Sequence, residues 1–102
     1  MNNIIFDKLE IMAEDLPNKM PWTSVAGELE ALGGNGWRLP TEAEFKSIYD
    51  FDKLGIGRFK PDKYWSASSS GTKAWYYNLS KGYSPHITDQ SNELYVRLVR
   101  GI

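Results

Sequence analysis

Two periods organise the apolar residues of this chain. Between Pro21 and Leu32 they follow a helix: Trp22, Val25, Ala26, Leu29 and Leu32 fall on one stripe. Proline suits a first helical turn, so the helix is predicted to begin near Pro21. Gly33-Gly34 ends it, because glycine takes the left-handed C-cap at little cost. Asn35-Gly36 is turn chemistry. A second helix is predicted from about Glu42 to Asp50, with Phe45, Ile48 and Tyr49 inward. Its start is explicit: Thr41 and Glu44 form a T-x-x-E capping box, each side chain satisfying a backbone N–H. Pro40 sets the chain direction before it, and Leu39 is expected to fold back on Phe45 as a hydrophobic staple.

Outside the helices the pattern is that of strands. Asn3 to Phe6 and Leu9 to Ala13 are apolar-rich and predict one or two short strands, with a turn or edge at Asp7-Lys8. Asp15 to Lys19 reads as a loop, as does Phe51 to Asp62, which holds Gly55, Gly57 and Pro61. Tyr64 to Ala67 predicts a short aromatic strand, and Ser68 to Gly71 a flexible turn. From Lys73 to Leu79 the residues alternate, with Trp75, Tyr77 and Leu79 on one face and Ala74, Tyr76 and Asn78 on the other. Ser80 to Gly82 reads as a hairpin loop. Pro85 makes Tyr83 to Thr88 an edge or irregular strand. Asp89 to Asn92 is a second turn. Leu94 to Val99 predicts the last strand, with Val96 and Leu98 inward and Arg97 on the other face. The result is an α+β domain over residues 1–102, two helices on one side of a small twisted antiparallel sheet.

Composition narrows the function. With 102 residues the chain can build one core. Aromatics reach 14%, including four Trp and six Tyr, so rings must both fill that core and meet solvent. The net charge is −1 without a basic run, which leaves no electrostatic footprint for nucleic acid. Cysteine is absent, so disulfides, thiolate metal sites and cysteine nucleophiles are excluded together. No apolar run approaches the ~18 residues of a membrane span. The chain by itself reads as soluble. Its localisation stays open: a leader on the parent protein would place it at the cell surface or outside.

Three blocks resemble a known group. Gly36-Trp37-Arg38-Leu39-Pro40-Thr41 is the first. Tyr64-Trp65-Ser66-Ala67 with Ala74-Trp75-Tyr76-Tyr77-Asn78-Leu79 is the second, and Tyr95-Val96-Arg97-Leu98-Val99-Arg100 the third. In this order they resemble the C-terminal domain family of Legionella collagen-like adhesins, bacterial domains of unassigned function. Met20-Pro21-Trp22 departs slightly from that family's Thr-Trp helix start. The string from Arg38 to Phe45 is also similar to a segment of the formylglycine-generating enzymes. The resemblance implies a C-type lectin-like fold with adjacent termini and long irregular loops. It does not imply their chemistry. Those enzymes use copper-binding cysteines, which this chain lacks; related iron enzymes use three histidines, and this chain has one, His86. The Glu-Pro-Asn, Gln-Pro-Asp and Trp-Asn-Asp signatures of calcium-dependent sugar binding are absent too.

His86 has serines at 66, 68, 69 and 70 to work with but no G-x-S-x-G elbow, so a surface or ligand-contact role is expected. Asp89, Asn92 and Glu93 read as a polar turn rather than a calcium loop. Arg38 and Arg97 are expected to cross-link the fold rather than bind anions, since a guanidinium carries five donors. The pairs Glu28/Glu30 and Glu42/Glu44 are read as solvated helix faces. A structural set follows: Trp22, Trp37, Arg38, Pro40, Thr41, Glu44, Trp65, Trp75 and Arg97. The ligand-binding set is Tyr76, Lys81, Tyr83, His86, Asp89 and Asn92, whose mix of rings and adaptable hydrogen bonders is typical of binding loops. No catalytic residue, metal or cofactor is assigned. The expected function is non-catalytic recognition of a glycan or a protein through the 68–73 and 82–92 loops, without nucleic acid or membrane insertion. The alternative is a structural or assembly domain of an adhesin or phage-fibre-like oligomer, and an enzyme of unknown type comes third.

Overall fold

The computed structural model describes residues 3–6, 8–80 and 85–102, the side chain of Pro85 apart. Nine elements follow in order. β1 (Ile4–Phe6) and β2 (Leu9–Ile11) come first. A 3-10 turn (Trp22–Ser24) leads into α1 (Val25–Ala31), and α2 spans Glu42–Lys53. β3 (Lys63–Ser70), β4 (Lys73–Asn78), β5 (Pro85–Asp89) and β6 (Val99–Gly101) complete the chain.

The α+β class holds, but the single sheet does not. There are two three-stranded antiparallel sheets, ordered β1-β2-β6 and β3-β4-β5. The reason lies in residues 94–98, which join no ladder. Instead their backbone is shared among separate segments. Leu94 exchanges hydrogen bonds with Met20 at 3.0 and 3.1 Å. The Val96 carbonyl accepts from Leu16 N–H and the Leu98 carbonyl from Met12 N–H. On the other side Trp65 N–H donates to the Tyr95 carbonyl, and Arg38 pairs with Val99. The predicted Leu94–Val99 strand is therefore a stitch between the two sheets, and only Val99 onward is a ladder strand. Val96 and Leu98 are fully buried; so is Arg97, at 1% exposure, on the face predicted to differ.

β3 divides the core by simple alternation. Tyr64 faces a cluster with Ile11, Phe45, Ile48, Tyr77, Leu79 and Val99, beneath α2. Trp65 faces a second cluster with Met20, Val25, Leu39, Val96 and Leu98, beneath α1. The helices thus lie on opposite faces of the β3-β4-β5 sheet rather than on one side. Leu39 and Phe45 belong to different clusters, so the expected staple between them is not formed.

Local details shift for physical reasons. α1 has seven residues and no side-chain cap, too short to stand alone. Two indoles anchor its entry: Trp22 Nε1 donates to the Ser66 carbonyl at 3.0 Å, and Trp65 Nε1 to the Met20 carbonyl at 2.8 Å. Ala26 and Leu32 of the predicted stripe are exposed. α2 runs one turn past its predicted end, because Phe51 packs on the first cluster. Ser68 to Ser70 are strand, not flexible turn: Ser69 and Ser70 pair with Ala74 and Lys73, past a register shift, and only Gly71-Thr72 turns. β5 is an edge strand beginning at Pro85, where a missing N–H is tolerated. The predicted Ser80–Gly82 hairpin loop and the start of the Tyr83 strand lie largely outside the described residues.

Candidate functional site

The register of the second sheet assembles one exposed ring surface. Trp65, Tyr76 and His86 are successive cross-strand partners on one face. Trp65 is buried under α1, but towards the β5 edge the cover ends. Tyr76 is half-buried and His86 exposed, with ring centroids 5.6 Å apart and planes 30° from parallel. Lys63, at the start of β3, places its ammonium 5.5 Å from the centre of the Tyr76 ring. At the far end of β5, Asn92 Nδ2 donates to Thr88 Oγ1 at 2.6 Å, and Asn92 N–H to the Asp89 carbonyl at 3.2 Å. Of the six ligand-binding residues expected from sequence, Tyr76 and His86 are brought into contact. Asp89 ends β5, three residues on and alternating to the opposite face, and Asn92 lies beyond it on the following turn. Lys81 and Tyr83 lie outside the described residues.

Sequence reasoning missed the lysines. Besides Lys63, Lys19 and Lys60 hold their ammonium groups 4.8 and 4.9 Å from the centre of the Tyr95 ring. They also pair with Asp62 at 3.6 Å and Asp15 at 3.1 Å. No local signal announces these contacts, since every partner comes from a distant segment.

The residues read as structural are tied into the frame. Trp37 lies under the Arg100 guanidinium at 4.4 Å, and Arg100 Nε donates to Glu10 at 2.8 Å. That hydrogen bond, helped by Asn3, holds the Glu10 carboxyl below its ordinary range. Pro40 is fully buried. Trp75 is half-buried on the opposite sheet face, beside Ile87. The capping box is complete: Thr41 Oγ1 accepts from Glu44 N–H at 3.2 Å, and Glu44 Oε1 accepts from Thr41 N–H at 2.9 Å. Glu44 also accepts two hydrogen bonds from Arg38, at 2.7 and 2.8 Å. It is therefore not the solvated carboxylate of the sequence reading. The Arg38 guanidinium lowers its pKa, and Glu44 in turn raises that of Arg38. Glu42 similarly accepts from Ser68 Oγ at 3.2 Å.

Arg97 is the most connected of these groups. It donates to Asp15 Oδ1, to the Met12 and Gly57 carbonyls, and more weakly to that of Arg58. Its guanidinium stacks 4.1 Å from the Phe59 ring centre. Asp15 Oδ2 accepts from Tyr64 Oη at 2.8 Å. Burial pushes the Tyr64 phenol far above its usual range.

Chemically, the Tyr76–His86 surface can stack and donate hydrogen bonds. Among the described residues no hydrogen bond joins His86 to a serine or carboxylate, and no cluster of three metal-ligating side chains exists. No helix among them is long and apolar enough to cross a membrane. The family model of the Lcl C-terminal domain matches residues 12–100. The chain therefore belongs to the family of Legionella collagen-like protein C-terminal domains. No curated protein matches it.

Proposed function

We propose that this chain is a single-domain, non-catalytic recognition module of C-type lectin-like fold, whose ligand is a glycan or a protein. The partly exposed Tyr76–His86 ring pair with Lys63 over Tyr76 carries this reading. An aromatic face beside a cation stacks favourably on a sugar ring or a protein side chain. The lectin-like assignment is supported by two helices, by irregular connections, and by β6 pairing with β2, which brings the chain's two ends together. The absence of cysteine and the single histidine fit a scaffold that supplies shape rather than turnover. The test is glycan-array and pull-down binding with Tyr76→Leu, Lys63→Ala and His86→Ala. Loss of binding with retained folding supports it; binding unchanged by all three overturns the site. A second reading, an assembly domain, is favoured by the apolar exposure of Ile5 (59%), Leu54 (75%) and Ile102 (60%). It expects a concentration-dependent oligomer by light scattering, weakened by Ile5→Asp and Leu54→Asp.

A further inference from the structure

A cleft of about 270 Å3 opens between the first sheet and α2, away from the Tyr76–His86 surface. Leu9 and Ile11 of β2 and Ile48 and Phe51 of α2 give it an apolar lining. Its polar lining is sparse and specific. Arg38 and Glu44 border it, but their two hydrogen bonds to each other cancel their charges. Ser47 adds a hydroxyl. Lys8 is left: no carboxylate among the described residues pairs with its ammonium, so these lining groups sum to one positive charge.

The backbone at Lys8 sharpens the point. Its φ is +63°, a region that glycine or asparagine enters easily and lysine does not. The turn between β1 and β2 therefore gains nothing from lysine as a backbone residue. What lysine adds there is a cationic side chain at a residue that lines the cleft. An apolar pocket with a few polar groups is the usual form of a small-molecule site.

We propose that this cleft binds a small monocarboxylate with an apolar aryl or alkyl tail. The tail lies against Leu9, Ile11, Ile48 and Phe51, and the carboxylate meets Lys8, with Ser47 as a further donor. Liquid water occupies about 30 Å3 per molecule, so 270 Å3 corresponds to about nine water-sized groups, and the end of a slightly longer ligand reaches the cleft's open mouth. This inference does not rest on the recognition reading, since the two sites share no residue.

The test is an amide NMR titration with 4-phenylbutyrate, alongside 4-phenylbutanol and 4-phenylbutylamine. Saturable shifts are expected at residues 8–11, 43–51 and 101. A charge-assisted hydrogen bond predicts about tenfold tighter binding of the carboxylate than of the alcohol, with the amine weakest. Lys8→Gly and Lys8→Asn both suit the positive φ, so at least one folded variant is expected. Either should bring the carboxylate to the alcohol's affinity and leave the alcohol unchanged. No saturable shift up to the probe's solubility, shifts centred elsewhere, an amine or alcohol as tight as the carboxylate, or indifference to both Lys8 variants would each overturn the proposal.

Discussion

Arg97 Nε lies 2.8 Å from Asp15 Oδ1, a hydrogen bond between residues 82 positions apart in sequence. Both side chains are nearly sealed from water, at 1% and 5% exposure. A buried ion pair is tolerable only when its remaining donors and acceptors are also satisfied. Here three backbone carbonyls take three of the four other guanidinium hydrogens, and Tyr64 and Lys60 donate to the second carboxylate oxygen. The pair closes the 12–16 loop and the 57–59 loop onto the C-terminal segment at one point.

Arg97→Met should cost about 3–5 kcal/mol, because it leaves Asp15 buried without its principal partner. Arg97→Lys should recover little, since one ammonium cannot reproduce the planar fork that reaches both loops. Urea unfolding measures both. A loss below about 1 kcal/mol for Arg97→Met would show that the network contributes little beyond packing.

Gly57 presents its carbonyl to Arg97 at φ +94°. A Cβ there would lie 2.6 and 2.9 Å from Phe59 ring carbons, and that ring is held under the guanidinium. Gly57→Ala should therefore destabilise by about 2 kcal/mol or more. Gly34→Ala, at φ +82° with open space around it, should cost about 1 kcal/mol. Thermal melts of the two variants separate the clash from the backbone strain they share.

The start of α2 should be acid-sensitive. Glu44 is lowered from its ordinary value of 4.5, chiefly by its hydrogen bond from Arg38. A carboxyl depressed by folding contributes stability that is complete above its unfolded pKa and lost as pH falls through the folded one. Stability should thus decline below about pH 4.5, less steeply in Glu44→Gln. At pH 7, Thr41→Ala should cost about 1 kcal/mol by removing the other half of the box. A Glu44→Gln profile parallel to wild type between pH 5 and 2 would refute the assignment.

His86 is exposed on an edge strand, with its ring beside that of Tyr76. His86→Ala should change unfolding free energy by no more than about 0.5 kcal/mol. A larger loss in a urea melt would mean that the ring pair belongs to the frame and not to a free surface.

Short-range order was legible because its causes are short-range. Thr41 and Glu44 are three residues apart, and a helical turn alone brings them together. Gly33 stops α1 by its own backbone freedom, at φ +77°. Tyr64 to Ala67 read as strand from their aromatic run, and neighbours on a strand must point opposite ways. The residue types of Arg97 and Arg38 announced cross-linking, since a five-donor cation in a strand-like setting needs acceptors.

The tertiary structure alone decided which segments would supply those acceptors. Residues 94–98 have the apolar pattern of a strand, yet their carbonyls and N–H groups are spread over Met12, Leu16, Met20, Lys63 and Trp65, so the sheet divides in two. The lysines over Tyr76 and Tyr95, and the cleft beside Lys8, also depend on contacts between distant segments. A side chain's chemistry is a property of its residue and can be read one position at a time. Its partner is set by the global path of the chain, which minimises unsatisfied polar groups and exposed apolar area over all residues at once.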